Sequence, residues 1–360
     1  MAERPILIVP GMPGSALRRV DTQEEVWPCA GPTGPNPDLA TLLNPAIPLE
    51  PFDLVLEAAP ILYVYQILLD LFGQAGVRFG KLDYARADAR LFIFPYDWRL
   101  NLRGTADLLA DALRRLRDSH GGLWPDLICH STGGLVARYC LQSGDPNLGD
   151  ASARRIVFVG TPQRGTTKAL LAMDGQVDDY PGIPADKIRD LARHPAFPGP
   201  RQLLPQPGVP LVWADDGPSS LVDLYAPPIW EQRLGQAAGS QNVMTDFASS
   251  LQRRSLAAAG VEMALCIVGC AYPTVTHMVL RGAAADGHWF DARTALDAGD
   301  GTVPASSAYL EGHPSLNVMD EHFLLFRDPV AKAAILRFLD PALSLPPGAL
   351  GPSPNPPPGP

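Results

Sequence analysis

Leu127-Ile128-Cys129-His130-Ser131-Thr132-Gly133-Gly134-Leu135-Val136 constrains this chain more than any other stretch. It reads as a short buried strand, a very tight turn and a helix, with Ser131 at the apex. Such a turn leaves a serine hydroxyl standing free of the backbone, provided that small residues lie two before and two after it. Gly133 meets the second requirement. Cys129 stands where glycine is usual, and its Cβ predicts a slightly strained or opened turn. The same residues also fit a plainer reading, in which Ser131 caps a helix and Gly133-Gly134 forms a packing notch. The flanks favour the sharper one. Pro125-Asp126-Leu127-Ile128 leads in like a core strand, and Leu135, Val136, Tyr139 and Cys140 fall near helical spacing.

The rest of the chain supplies a sheet for that strand to join. Pro5-Ile6-Leu7-Ile8-Val9-Pro10 is an apolar run suited to burial on both faces, and it opens into Gly11-Met12-Pro13-Gly14-Ser15. Arg90–Phe94 is the next strand, followed by Pro95-Tyr96-Asp97-Trp98-Arg99. A helix then follows, with Thr105 as a plausible cap and Leu109, Ala112, Leu113 and Leu116 as its stripe. Arg155–Val159 and Met263–Cys270 are further core strands; Thr274–Arg293 alternates like a hairpin, and Ser315–Val318 is the last strand. Asp328-Pro329 opens a final helix. Strands alternating with helices imply an α/β fold with a mostly parallel central sheet flanked by helices.

Three stretches break the rhythm. Residues 21–80 hold an irregular excursion rich in proline and glycine, and within it Ile61–Phe72 is apolar on almost every side. That segment suits a buried helix or a lid helix that touches lipid. Residues 174–255 carry many prolines and several aromatics, including Tyr180, Trp213, Tyr225 and Trp230, and read as an inserted cap or lid. Residues 342–360 are almost all Pro, Gly and Ser, a tail expected to be disordered. The core is thus expected from 1–173 and 256–341.

Serine is a weak nucleophile until an imidazole takes its proton and a carboxylate orients that imidazole. In chain order Ser131, Asp300 and His322 supply these groups, the last two in loops after late strands. Asp297 is a rival acid, but Gly299 and Gly301 free Asp300 for a tight loop. His313 precedes the last strand and faces the wrong end of the sheet. His130 is expected to pack beside the serine without serving it. The backbone N–H groups of Met12 and Thr132 are the candidates for binding a developing oxyanion.

Composition narrows the partners. A net charge of −9 and a pI near 5.2 argue against nucleic acid and give no general attraction to anionic membranes. The five cysteines form no zinc-type pair of C-x-x-C units, and the chemistry asks for no metal or organic cofactor. The chain runs almost directly from Met1 into its first strand, and no apolar run reaches transmembrane length, so the expected location is the cytoplasm.

Val9-Pro10-Gly11-Met12-Pro13-Gly14-Ser15, Pro95-Tyr96-Asp97-Trp98-Arg99, His130-Ser131-Thr132-Gly133-Gly134, Gly299-Asp300-Gly301-Thr302-Val303 and Glu321-His322 together resemble the lecithin:cholesterol acyltransferase family of α/β-hydrolases. That family includes lysosomal phospholipase A2 and phospholipid:diacylglycerol acyltransferase. Pro-Tyr-Asp-Trp-Arg is the most specific of the five motifs. The resemblance implies Ser131, Asp300 and His322 as the triad, the Met12 and Thr132 amides as the oxyanion hole, and 174–255 as a cap that encloses an acyl chain. It implies a lipase, phospholipase A or O-acyltransferase acting on a lipid-like ester, with transient contact between cap and membrane surface. A small-ester or lactone hydrolase and a catalytically silent binding module on the same fold are the alternatives.

Overall fold

Continuous apolar runs need burial on both faces, and here they obtain it from a seven-stranded parallel sheet covered by helices on each side. The computed structural model describes all residues except 1–2, 29–36, 57–62, 83, 179–182, 215–218, 282–286, 344 and 346–360. The strands are β1 (Ile6–Val9), β2 (Ser15–Arg19), β3 (Glu25–Trp27), β4 (Leu49–Leu54), β5 (Phe79–Lys81), β6 (Leu91–Ile93), β7 (Asp126–His130), β8 (Arg155–Val159), β9 (Val212–Trp213), β10 (Met263–Gly269), β11 (Tyr272–Leu280), β12 (Phe290–Gly299) and β13 (Ser315–Val318). The helices are α1 (Leu39–Leu42), α2 (Tyr63–Gln74), α3 (Leu102–Ser119), α4 (Thr132–Gln142), α5 (Thr167–Asp174), α6 (Ala185–Arg193), α7 (Pro227–Trp230), α8 (Gln241–Ser250), α9 (Ala305–Ala308) and α10 (Pro329–Leu339).

The central sheet runs β13-β10-β8-β7-β1-β6-β5. β1 pairs with β7 from Ile6–Asp126 to Val9–Cys129, which sets the loop after β1 beside the turn after β7. One face packs on α3 and α4 through Leu109, Leu113, Leu116, Leu135 and Val136. The other packs on α2 and α10 through Val64, Leu68, Phe72 and Ile335. Each fully buried Leu or Ile contributes about 1.5–3 kcal/mol, so both layers stabilise the sheet strongly. α3 keeps the expected apolar stripe but begins earlier than Thr105: the Asn101 side chain accepts from the Arg103 N–H and caps it. Thr105 is buried in its first turn.

The excursion over 21–80 is more regular than its composition suggests. β2, β3 and β4 form a small antiparallel sheet in the order β3-β2-β4. β4 tolerates Pro51 because it is an edge strand. The apolar segment before Gly73 forms α2, with Val64, Tyr65, Leu68, Leu71 and Phe72 buried; Ile61 and Leu62 lie outside the described residues.

A third sheet, β12-β11-β9, stands apart from the central one. The hairpin of β11 and β12 pairs with β9, and an apolar cluster of its own joins Leu170, Leu224, Trp230, Met278 and Phe290. The hairpin leaves the central sheet just after β10 and returns to it: Tyr272 bridges Asp300, and a Cβ on Gly269 at the end of β10 would lie 2.6 Å from the Asp300 Cβ. Most of 342–360, with Cys29 and Tyr180, lies outside the described residues. Among the described residues, Cys129, Cys140 and Cys266 are free thiols, and no helix is long and apolar enough to cross a membrane.

Candidate active site

Ser131 follows β7 with φ 50° and ψ −124°, a left-handed conformation rare for a residue with a side chain. Holding a residue there costs on the order of 1–3 kcal/mol, and the surroundings enforce it. The Ser131 N–H donates to the Val159 carbonyl of β8 at 2.9 Å. Gly133 lets the first turn of α4 lie on β1, since a Cβ there would sit 2.3 Å from the Val9 oxygen. Cys129 is accommodated as a fully buried thiol whose pKa burial pushes upward. Ser131 occupies the cap position of α4 but makes no side-chain cap bond, so its hydroxyl is left for another partner.

That partner is His322. Its Nε2 lies 3.0 Å from Ser131 Oγ, and its Nδ1 lies 2.7 Å from Asp300 Oδ2. A carboxylate oxygen only accepts, so Nδ1 carries the proton and Nε2 turns its lone pair to the serine. Asp300 is itself fixed: its Oδ1 accepts from the N–H groups of Thr302 at 3.0 Å and Val303 at 2.7 Å. The His322 N–H also donates to the Asp300 carbonyl at 2.8 Å. All three are nearly sealed from solvent, Ser131 at 7%, His322 at 3% and Asp300 at 2% exposure. Asp297 falls within β12, its side chain outside the described residues, and His313 lies in the loop before β13.

The loop after β1 lies against Ser131, where a Cβ on Gly11 would come within 2.7 Å of the serine Cβ. Among the described residues, neither the Met12 nor the Thr132 N–H has a hydrogen-bond acceptor. The Pro-Tyr-Asp-Trp-Arg motif holds this loop. Tyr96 Oη donates to the Pro10 carbonyl at 3.0 Å, Ser15 Oγ accepts from the Tyr96 N–H at 3.0 Å, and Trp98 Nε1 donates to the Ser15 carbonyl at 3.2 Å. Trp27 Nε1 adds a bond to the Pro13 carbonyl at 2.8 Å. Within the same motif, Asp97 and Arg99 form a buried bidentate pair, Nε to Oδ1 at 2.9 Å and Nη2 to Oδ2 at 2.7 Å. Arg99 Nη1 also donates to the Leu42 carbonyl at 2.6 Å, and its guanidinium lies over Phe197.

His130 packs beside the serine and bonds elsewhere. Its Nδ1 is 2.9 Å from Tyr65 Oη and its Nε2 is 3.3 Å from the His322 carbonyl. Burial, with His322 nearby, lowers its pKa to about 3, so it is neutral at ordinary pH. Tyr65 was not marked by any sequence motif; it projects from the apolar α2 and reaches the site only because α2 packs on the sheet.

A serine at a strained strand-to-helix turn, at the carboxyl ends of a parallel sheet and bonded through a histidine to a buried aspartate, defines the α/β-hydrolase class, and the chain has that fold. Within the class it resembles the lecithin:cholesterol acyltransferase family, whose sequence model matches residues 64–221. That stretch includes Pro95–Arg99 and Ser131 but not Met12, Asp300 or His322. No curated protein sequence matches the chain. Among solved structures, a chain of the Tle4–Tli4 complex is similar with a TM-score of 0.59 at 16% identity, over 94% of this chain and 98% of that one. The mature lipase BlEst2 of Bacillus licheniformis aligns with a TM-score of 0.42 at 14% identity, over 95% of this chain and 93% of that one. The lin2722 product of Listeria innocua gives 0.41 at 12%, over 94% of each.

Proposed function

We propose that the protein is a serine acyl hydrolase or O-acyltransferase acting on lipid-like esters, with Ser131 as nucleophile. The reading is carried by one observation, the unbroken chain Ser131 Oγ–His322 Nε2, His322 Nδ1–Asp300 Oδ2. Ser131 Oγ attacks the ester carbonyl while His322 Nε2 takes its proton. The carbonyl oxygen becomes an oxyanion, for which the Met12 and Thr132 amides are the donors. The tetrahedral centre collapses, the C–O bond to the alcohol breaks, and His322 returns its proton to the departing alkoxide. Water or a second alcohol then attacks the acyl-enzyme with His322 again as base, giving a free acid or a new ester. Asp300 stays ionised and holds the imidazole in register.

Residues 174–255 together with the β11–β12 hairpin form the cap in this reading, supported by their shared apolar cluster. The near-complete burial of Ser131 fits a cap that opens for substrate, and a lipid surface is the contact expected to favour opening. The test is hydrolysis of p-nitrophenyl esters from acetate to palmitate by the native protein and by Ser131→Ala. Activity that rises with chain length and disappears in the variant supports a lipid acyl enzyme. Activity confined to short esters points to the small-ester alternative, and activity that survives the substitution rules out Ser131.

A further inference from the structure

Both His130 and Tyr65 are buried, lie outside the triad, and bond to two different loops of the site. The His322 carbonyl can only accept, so the His130 nitrogen facing it, Nε2, carries the ring proton. His130 Nδ1 is therefore a bare lone pair, and the Tyr65 hydroxyl must donate to it across 2.9 Å. Tyr65 Oη in turn accepts from the Gly11 N–H at 2.7 Å. The directions form one consistent series, Gly11 N–H to Tyr65 O–H to His130 N–H to the His322 carbonyl. Phe326 covers both rings, with centroids 6.4 Å from Tyr65 and 5.4 Å from His130, which keeps the series in an apolar surrounding.

The two ends of this series are informative. Gly11 immediately precedes Met12, whose amide is the expected oxyanion donor, and His322 is the expected base. We propose that Tyr65 and His130 are positioning residues that hold the loop after β1 and the loop bearing His322 at a fixed spacing across Ser131. The proposal rests on the reading of Ser131 as nucleophile. A neutral imidazole suits this task, because protonated His130 would lose its acceptor and break the link to Tyr65. Neither side chain hydrogen-bonds Ser131 Oγ or the His322 ring nitrogens, and the His130 ring lies against that of His322 with centroids 5.1 Å apart, so their loss should misalign the oxyanion donor and base while leaving ester binding in place.

The test combines kinetics with a spectroscopic reading of the ring. With p-nitrophenyl butyrate, Tyr65→Phe and His130→Phe are each expected to lower kcat tenfold or more while KM stays within threefold. The double variant is expected to lose at least threefold less than the product of the single losses, because both substitutions cut one series. Long-range 15N–1H spectra of the native protein are expected to show His130 as the Nε2–H tautomer, without titration down to pH 5. Losses that multiply, a Tyr65→Phe kcat within twofold of native, or an Nδ1–H or titrating His130 would each overturn the proposal. Where a variant does not fold, the native tautomer still decides. Native protein that cleaves no ester and takes no fluorophosphonate label at Ser131 would remove the catalytic reading itself, an outcome separable from the tautomer result.

Discussion

Removing one partner of the Asp97–Arg99 pair should cost far more than removing both. In the native chain the guanidinium of Arg99, 2% exposed, has two bonds to Asp97 and one to the Leu42 carbonyl. Asp97→Leu deletes the compensating charge and leaves a buried cation with the carbonyl as its remaining hydrogen-bond acceptor. Breaking a buried pair in this way costs about 3–5 kcal/mol. An unfolding entropy of about 2.1 cal/mol/K per residue over this 360-residue chain amounts to about 0.8 kcal/mol per degree, so Tm should fall by about 4–7 °C. The double variant Asp97→Leu/Arg99→Met has no stranded charge. It gives up the Leu42 bond and the contact with Phe197, and should recover at least half of the loss. Differential scanning calorimetry on the native, single and double proteins makes the comparison. A single variant melting within 1 °C of native, or a double variant melting no higher than the single, would refute the argument that the pair's worth lies in mutual neutralisation.

Asp300→Asn keeps an acceptor for the Thr302 and Val303 amides but turns the wrong group toward His322 Nδ1; kcat on p-nitrophenyl butyrate should fall on the order of 10⁴-fold with little change in KM. Gly133→Ala drives a Cβ against the Val9 and Pro10 carbonyls, at 2.3 and 2.5 Å, and should cost about 1–3 kcal/mol by denaturant titration and slow fluorophosphonate labelling of Ser131 at least tenfold. Burial raises the Asp126 carboxyl from 3.8 to about 6, so the folded chain keeps a proton that the unfolded chain releases. Its contribution is present below pH 4 and is lost as pH rises from about 4 to 6; Asp126→Asn should flatten that decline and at pH 7 be more stable than native by on the order of 1–3 kcal/mol, with a correspondingly higher Tm. Parallel Tm–pH curves for the two proteins would count against it.

The sheet was readable because its strands are buried on both faces and so are written as unbroken apolar runs: Ile6–Val9, Leu127–Ile128 and Ile156–Val159 all lie in it. The elbow and the order of Ser131, Asp300 and His322 were readable for a different reason, since the turn demands particular small residues and the loops demand breakers. What escaped depended on contacts remote in sequence. Tyr65 looks like any aromatic in an apolar helix until α2 meets the loop after β1, 54 residues away along the chain. β9 is two residues long and exists only because β11 offers it an edge. The sheet of β2, β3 and β4 hides behind Pro48 and Pro51, which disguise an edge strand as a loop. The cap of α3 is Asn101 and not Thr105, because the first turn of α3 begins before its apolar stripe does.

The hairpin's return to its point of departure bears on how such a chain can diversify. Because Tyr272 bridges Asp300, the intervening polypeptide begins and ends at one joint. Thr274 stiffens that joint, its Oγ1 accepting from the Gly301 N–H at 2.8 Å. Lengthening or trimming the hairpin beyond Thr274 is therefore expected to alter the outer layer without changing where Asp300 stands. Natural lineages and engineers alike can treat β11 and β12 as a replaceable attachment: a longer ribbon, a different edge for β9 or a grafted binding loop can be tried there, while Asp300 stays docked on Gly269.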